Sequence, residues 1–346
     1  MKPYVILSDL HLHDWSTFST INENGVNSRL QIIIDEVTRA KDTLLENGGD
    51  TMILAGDIFH TRGKLSPEVI NPVVSLFTNL CKEISVYGIP GNHDLASDDS
   101  QWLTSAASVL GACGVTMLND SGIVNDIVMI PWHKDISELK IELEKMSSAV
   151  GRATHDVVIH APVDGVIDGI PSHGLNDEYL ADLGYKRVFS GHYHNHVDFH
   201  NGVYSIGATT HQTWSDVGAK AGFLLVTDRS VRRFASHAPS FVDIYSDMTE
   251  EELLDCDGNY VRAKIGKATP EDISEVRADL LKRGAAGVVI QAIKTSEISS
   301  REGIEVGESV SLSVSVNSYI ESVLESDNPK DLAILCDNIL NEVEEV

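Results

Sequence analysis

The sequence predicts an α/β fold that carries a loop-built polar site, with a smaller second module behind it. Three observations predict this. Short β-branched runs alternate with a helical pattern, which implies helices packed on a sheet. Each early run leads into a loop holding Asp, Asn or His, and ligands of such sheets bind beyond the carboxyl ends of the strands. All fourteen histidines fall within residues 1–237 and none in the last 109, so the chemistry belongs to the first part of the chain.

The elements follow in order. Tyr4–Leu7 runs into Asp9 and His11, Thr51–Leu54 into Gly56 and Asp57, and Ser85–Tyr87 into Gly91–Asp94. Val157–Ile159 runs into His160, and Arg187–Phe189 into Gly191–His194. Between the first two strands, Leu30, Ile33, Ile34, Val37, Leu44 and Leu45 recur at helical spacing over 28–47, and Gly48-Gly49 stops the helix. After Phe234 the pattern changes. Tyr260–Ile265 reads as a strand. Thr269-Pro270-Glu271-Asp272 starts a helix, with Thr as cap, Pro at the first position and acids in the first turn. Ile273, Val276, Leu280 and Leu281 form its apolar face, Gly284 ends it, and Gly287–Ile293 reads as a strand. Residues 296–309 are rich in Ser, Glu and Gly and read as a linker. Two helical candidates follow. The first holds Leu312, Val316, Tyr319, Ile320, Val323 and Leu324, and its start also alternates like a strand. The second begins at Asn328-Pro329 and holds Leu332, Leu335, Ile339, Leu340 and Val343. The expected division is 1–237, 238–295, linker 296–309 and a helical tail 310–346.

Composition narrows the function. With 42% hydrophobic residues among 346, the chain is not mainly disordered. It has no apolar run near the ~18–20 residues a membrane span needs. The start, MKPYVILSDLHLHD, reads as a strand rather than a signal peptide. Cys81, Cys113, Cys256 and Cys336 are far apart and outline neither a disulfide scaffold nor a zinc site, which favours a reducing cytoplasm. The net charge is −26. Nucleic-acid binding rests on Lys and Arg neutralising phosphates, so this chain is expected to hold DNA poorly alone. The excess is steepest late: residues 236–346 carry 9 basic and 23 acidic residues.

Five polar clusters carry the chemistry: Asp9-x-His11, Gly56-Asp57, Gly91-Asn92-His93-Asp94, His160 and Gly191-His192-x-His194. Two aspartates, one asparagine amide and four histidines offer seven mixed N/O donors, with His93 to spare. That exceeds one tetrahedral ion and suits two ions sharing an aspartate. No cysteine takes part, so Mn²⁺, Fe²⁺ or Zn²⁺ suits the set better than an iron–sulfur cluster. Glycines before the ligands let the backbone turn sharply.

In this order the clusters resemble the calcineurin-type metallophosphoesterase signature, D-x-H, G-D, G-N-H-D, H and G-H-x-H. Gly56-Asp57-Ile58-Phe59-His60 is similar to the second motif of the SbcD-type DNA repair nucleases, the meiotic-recombination-eleven family. Ile130-Pro131-Trp132 and Ser172-His173-Gly174-Leu175 look like the SbcD-like subunits of tailed phages. The resemblance implies a four-layer α/β/β/α sandwich with a small α/β cap. It implies that Asp9, His11, Asp57 and His194 hold one ion, and that Asp57, Asn92, His160 and His192 hold the other. His93, oriented by Asp94, would act on the transition state or the leaving oxygen, and His60 would sit near the ions. Mn²⁺ is the expected metal, with Mg²⁺, Fe²⁺ or Zn²⁺ compatible.

The implied activity is Mn²⁺-dependent 3′→5′ exonuclease on duplex ends and endonuclease on single strands. Implied partners are DNA, a second copy of the chain, and an SbcC-type coiled-coil ATPase bound by the C-terminal helices in a heterotetramer. A cyclic-nucleotide phosphodiesterase shares all five motifs, and a non-catalytic scaffold is the other alternative. His13, His133, His155, His173, His196, His200, His211 and His237 match no ligand slot. Trp132 and Trp214 read as packing residues.

Overall fold

The computed structural model describes residues 2–96, 105–245, 248–266 and 268–292. The chain divides into two units, Met1–Ile293 and Lys294–Val346. Every described residue lies in the first, so the expected linker and helical tail fall outside the description.

Two six-stranded sheets form the body. In the first, β1 (Tyr4–Leu7), β2 (Thr51–Ala55), β3 (Ser85–Ile89) and β4 (Thr116–Met117) run parallel. Beside β1 lie β11 (Gly222–Val226) and β12 (Val231–Ala235), each antiparallel to its neighbour. In the second, β6 (Ile127–Ile130), β7 (Asp156–His160), β8 (Arg187–Gly191) and β10 (Val203–Ser205) run parallel. Antiparallel β5 (Gly122–Val124) and β9 (Val197–Asp198) close its edges.

Side-chain alternation sorts the layers. Val5 and Leu7 of β1 and Met52 and Leu54 of β2 pack on the helix side. Tyr4, Ile6, Ile53 and Ala55 face inward, against Met129, Val158 and Phe189 of the other sheet. Val157 and Ile159 point outward again. Helices α1 (Ser28–Glu46) and α2 (Pro67–Leu80) cover the first sheet. Helices α3 (Ile136–Val150) and α4 (Asp177–Asp182) cover the second. The result is the four-layer sandwich.

Helix α1 matches the expected span, but Asn27 caps it, accepting from the amides of Arg29 and Leu30. Leu45, expected on the apolar face, sits at the margin of the stripe and is exposed. The second module is a parallel sheet of β13 (Phe241–Tyr245), β14 (Tyr260–Ile265) and β15 (Gly287–Ala292). Helix α5 (Pro270–Lys282) joins β14 to β15 and is capped by Thr269 and Asp272 in a reciprocal box. Strand β13 extends the expected β-α-β unit. Leu281, expected on the apolar face of α5, is exposed, while Leu280 is buried.

One polar network locks the two large sheets. The Tyr4 hydroxyl donates to Asp156 at 2.5 Å, and Arg187 donates to both oxygens of the same carboxylate at 2.8 and 2.7 Å. Removing the carboxylate strands a buried guanidinium. Asp156→Ala is therefore expected to cost about 3–5 kcal/mol in a denaturant titration. A loss under about 1 kcal/mol would show that water replaces the carboxylate.

Candidate metal centre

The parallel strands end on one side of the sandwich, and the polar loops begin there. Asp9, His11, Asp57 and His192 adopt φ of +50°, +45°, +49° and +104°. Non-glycine residues rarely enter that region, and each costs of order 1–3 kcal/mol, so the surrounding fold must hold them there. The holding contacts are visible: the Asp9 amide donates to the Gly56 carbonyl, and the His11 amide to the Asp57 carbonyl. Gly91 is needed for close approach, because a Cβ there would overlap the Asp57 carboxylate and crowd the His160 ring.

All seven expected donors converge. The ligating atoms of Asp9, His11 and His194 lie within 4.8 Å of one another, and so do those of Asp57, His160 and His192. Asn92 joins the second group, its Oδ1 standing 3.2 Å from His160 Nε2 and 3.0 Å from His192 Nδ1. Asp57 lies between the groups. Its Oδ1 is 3.4 Å from His160 Nε2, and its Oδ2 is 3.7 Å from His11 Nε2.

The donor set fits two divalent cations. Asp9 Oδ1 is buried with no hydrogen-bond partner. The Nε2 atoms of His11 and His194 face each other at 3.2 Å. Burial holds the His11 imidazole well below its usual range, and burial followed by the His160 charge pulls His192 down to about 3, so both offer lone pairs. Burial opposes a proton on His160, yet the Asp57 and Asp9 carboxylates overcome it and raise this ring to about 9. The cluster thus attracts positive charge into a buried space, which is the property a cation site requires.

Outer contacts fix which ring nitrogen faces inward. His160 Nδ1 donates to the Ala55 carbonyl at 2.8 Å, leaving Nε2 for a metal. His194 Nδ1 donates to Asp216 at 2.7 Å, so its Nε2 points at His11. Asp216 was not singled out by sequence. Its signal was local: in Thr213-Trp-Ser-Asp216, the acid accepts back from the Thr213 amide as in a capping box. Asp216→Ala is expected to weaken metal binding 10- to 100-fold by calorimetric titration, as loss of an outer carboxylate typically does. Unchanged affinity would make Asp216 a loop residue only.

His93 belongs to neither of the two donor groups, although its ring nitrogen lies within 4.8 Å of those of His11 and His60. Its amide donates to Asp57 Oδ1 at 2.8 Å, and its ring Nδ1 donates to the His60 carbonyl at 2.9 Å. The Asp94 carboxylate, expected to orient His93, is bonded to backbone amides instead of to that ring. That carboxylate is fully buried and accepts from the amides of Ile58, Phe59 and Gly91. It ties two ligand loops together because three amides converge where the sequence shows only one acid. Burial and then the Asp57 charge push it up to about 7.

His60 places Nδ1 3.3 Å from His11 Nδ1, with its ring 4.4 Å from Trp15 and stacked on His93 at 5.6 Å. Trp132, read as packing, stacks on the His192 ring at 5.2 Å. Trp214 packs edge-on against Phe241. His133, His196 and His211 make ring contacts with backbone carbonyls away from the two donor groups. No helix among the described residues is long and apolar enough to cross a membrane.

A model of the calcineurin-like phosphoesterase family matches residues 2–196. No curated protein matches the chain. Among solved structures, the Pseudomonas putida nuclease MPE is similar at 15% identity, over 56% of this chain and 62% of that one, with a TM-score of 0.29. The chain thus covers less than two thirds of that nuclease. A dimetal phosphatase from Danio rerio is similar at 11% identity, over 64% of this chain and 91% of that one, with a TM-score of 0.40. The family match spans more than half of the sequence and contains every donor around Asp57; the chain belongs to the calcineurin-like phosphoesterase family, whose chemistry is metal-dependent hydrolysis of phosphate esters.

Proposed function

We propose that this chain is the nuclease subunit of an SbcCD-type DNA repair and recombination complex. It would act as a Mn²⁺-dependent 3′→5′ exonuclease on duplex ends and as an endonuclease on single strands. The observation that carries the hydrolytic part is Asp57 standing between two groups of buried N/O donors. Two divalent ions held there would acidify the attacking water and balance charge on both the entering and leaving oxygens. Asp9, His11, Asp57 and His194 would hold one ion, and Asp57, Asn92, His160 and His192 the other. His93 keeps its Nδ1 proton on the His60 carbonyl, so Nε2 is the atom left to meet substrate. From there it would neutralise the departing sugar oxygen.

The DNA reading is supported by the Gly56–His60 sequence and by the second module and acidic tail, which a stand-alone phosphodiesterase needs less. A 430 Å³ cleft opens beside His192, His194 and Tyr193, walled by Val166, Ile167 and Val217, with room for more than a phosphate. The tail would dock on the partner ATPase as amphipathic helices in a groove. Residues 295–346 carry 2 basic and 12 acidic residues, so the receiving surface should be basic. Deleting 310–346 is expected to abolish co-purification with that ATPase while sparing Mn²⁺-dependent hydrolysis of a small phosphodiester. A truncated chain that still co-purifies stoichiometrically would defeat the docking role.

The test of function is a Mn²⁺ assay with end-labelled duplex, single-stranded DNA and a cyclic nucleotide side by side. Cleavage of the DNA substrates is the expected result. Turnover of the cyclic nucleotide alone would replace this reading with a small-molecule phosphodiesterase.

A further inference from the structure

Beside the metal centre lies a second cleft, of about 320 Å³, that the donor set does not use. We propose that it is a binding subsite for the nucleotide adjoining the scissile phosphate of a DNA strand. The inference rests on the nuclease reading and deepens it, because it names what separates a polymer from a small diester.

Position comes first. The cleft is built by continuations of the two loops that carry His11 and His60. A parallel bridge between Leu12 and Phe59 clamps those loops side by side. The ring of His60 is stacked 5.6 Å from His93, and the ring of His13 lies 5.0 Å from that of His60. His13, which lines the cleft, thus neighbours His60, which in turn neighbours His93. A mononucleotide or cyclic nucleotide held at the ions has no need of that cleft, whereas a strand passing over the ions must lie on something beyond them.

The lining has the chemistry of a sugar–phosphate site. Leu12, Leu65 and Val69 give an apolar floor, and His13, Lys64 and Ser66 stand around it. An ammonium on a flexible stem suits a phosphate as a point charge. Asp14 lies 3.0 Å from His13 Nδ1, and Thr61 Oγ1 lies 3.4 Å from the same atom. These contacts hold the imidazole by one nitrogen and leave Nε2 for the ligand. Asp14 also tempers the positive charge, which keeps the site suited to a transient strand rather than a tightly held anion.

The test compares kcat/KM of the full-length, Mn²⁺-loaded protein on a short oligothymidylate and on bis(p-nitrophenyl) phosphate. His13→Ala and Lys64→Ala are each expected to lower the oligonucleotide-to-diester ratio roughly tenfold, mainly through KM, with metal content still two ions per chain. A ratio within about twofold of wild type in both variants would overturn the subsite. Equal losses on both substrates with loss of metal would overturn it too, leaving His13 a prop for the centre. If the wild type hydrolyses the diester and leaves the oligonucleotide intact, the nuclease reading fails first and the subsite falls with it.

Discussion

Asp57→Ala is expected to empty both ion positions and remove hydrolysis, whereas loss of an outer contact such as Asp216 only weakens binding. The reason is geometric. The two oxygens of the Asp57 carboxylate face imidazoles of different donor groups, His11 on one side and His160 on the other. Its Oδ1 also accepts the His93 amide, so it joins three ligand-bearing loops at once. Asp57→Asn separates charge from shape. It keeps an oxygen for the His93 amide but withdraws the anion that balances the buried cluster. Metal counted by mass spectrometry should fall from two ions per chain to none in Asp57→Ala, and to none or a weakly held one in Asp57→Asn. Two ions retained by either variant would show that another group bridges.

The second large effect is at His93. His93→Ala is expected to keep both ions and lose roughly 10²–10⁴ in kcat, the usual range for a general acid or base. Retention of metal follows from the contacts, since the ring nitrogen is engaged by the His60 carbonyl and the tie to Asp57 is made by the backbone amide. Alanine preserves that amide. The loss should appear in kcat more than in KM, because the ring is placed to act on the departing oxygen rather than to hold the ground state. Metal content and kcat measured on one preparation decide it. Unchanged turnover would remove His93 from the chemistry, and lost metal would make it a support for the ions.

Much of this centre was legible because its logic is local. Each donor follows a β-branched run by one to five residues, and parallel pairing of β1, β2 and β3, like that of β7 and β8, brings such run-ends together. Glycine before Asp57, Asn92 and His192 marked where the chain turns. Asp216 was harder to find. It sits on the connection from β10 of the second sheet to β11 of the first, and its local capping box marks a turn without naming His194, 22 residues earlier, as the partner. The resemblance implied that Asp94 orients His93, but no spacing in the sequence shows what its carboxylate accepts from. The actual partners are three backbone amides, two of them from the Asp57 loop.

Helices were read unevenly. The apolar stripe of α1 is long and clean, whereas α2 carries an internal Pro72 that obscures its period. Strand β13 escaped because five residues with two buried positions give too little alternation to separate from a loop.

The acidic balance fits the same picture. Donor carboxylates such as Asp9 and Asp57 are offset by cations when the centre is filled. The remaining excess is greater late in the sequence, in and before the segment proposed to meet a basic partner.

The most direct test of the central claim is anomalous diffraction from crystals soaked in Mn²⁺. The account predicts two peaks per chain, one on each side of the Asp57 carboxylate, with Asp9, His11 and His194 around the first and Asn92, His160 and His192 around the second. A single peak, or a pair that does not share Asp57, would contradict it.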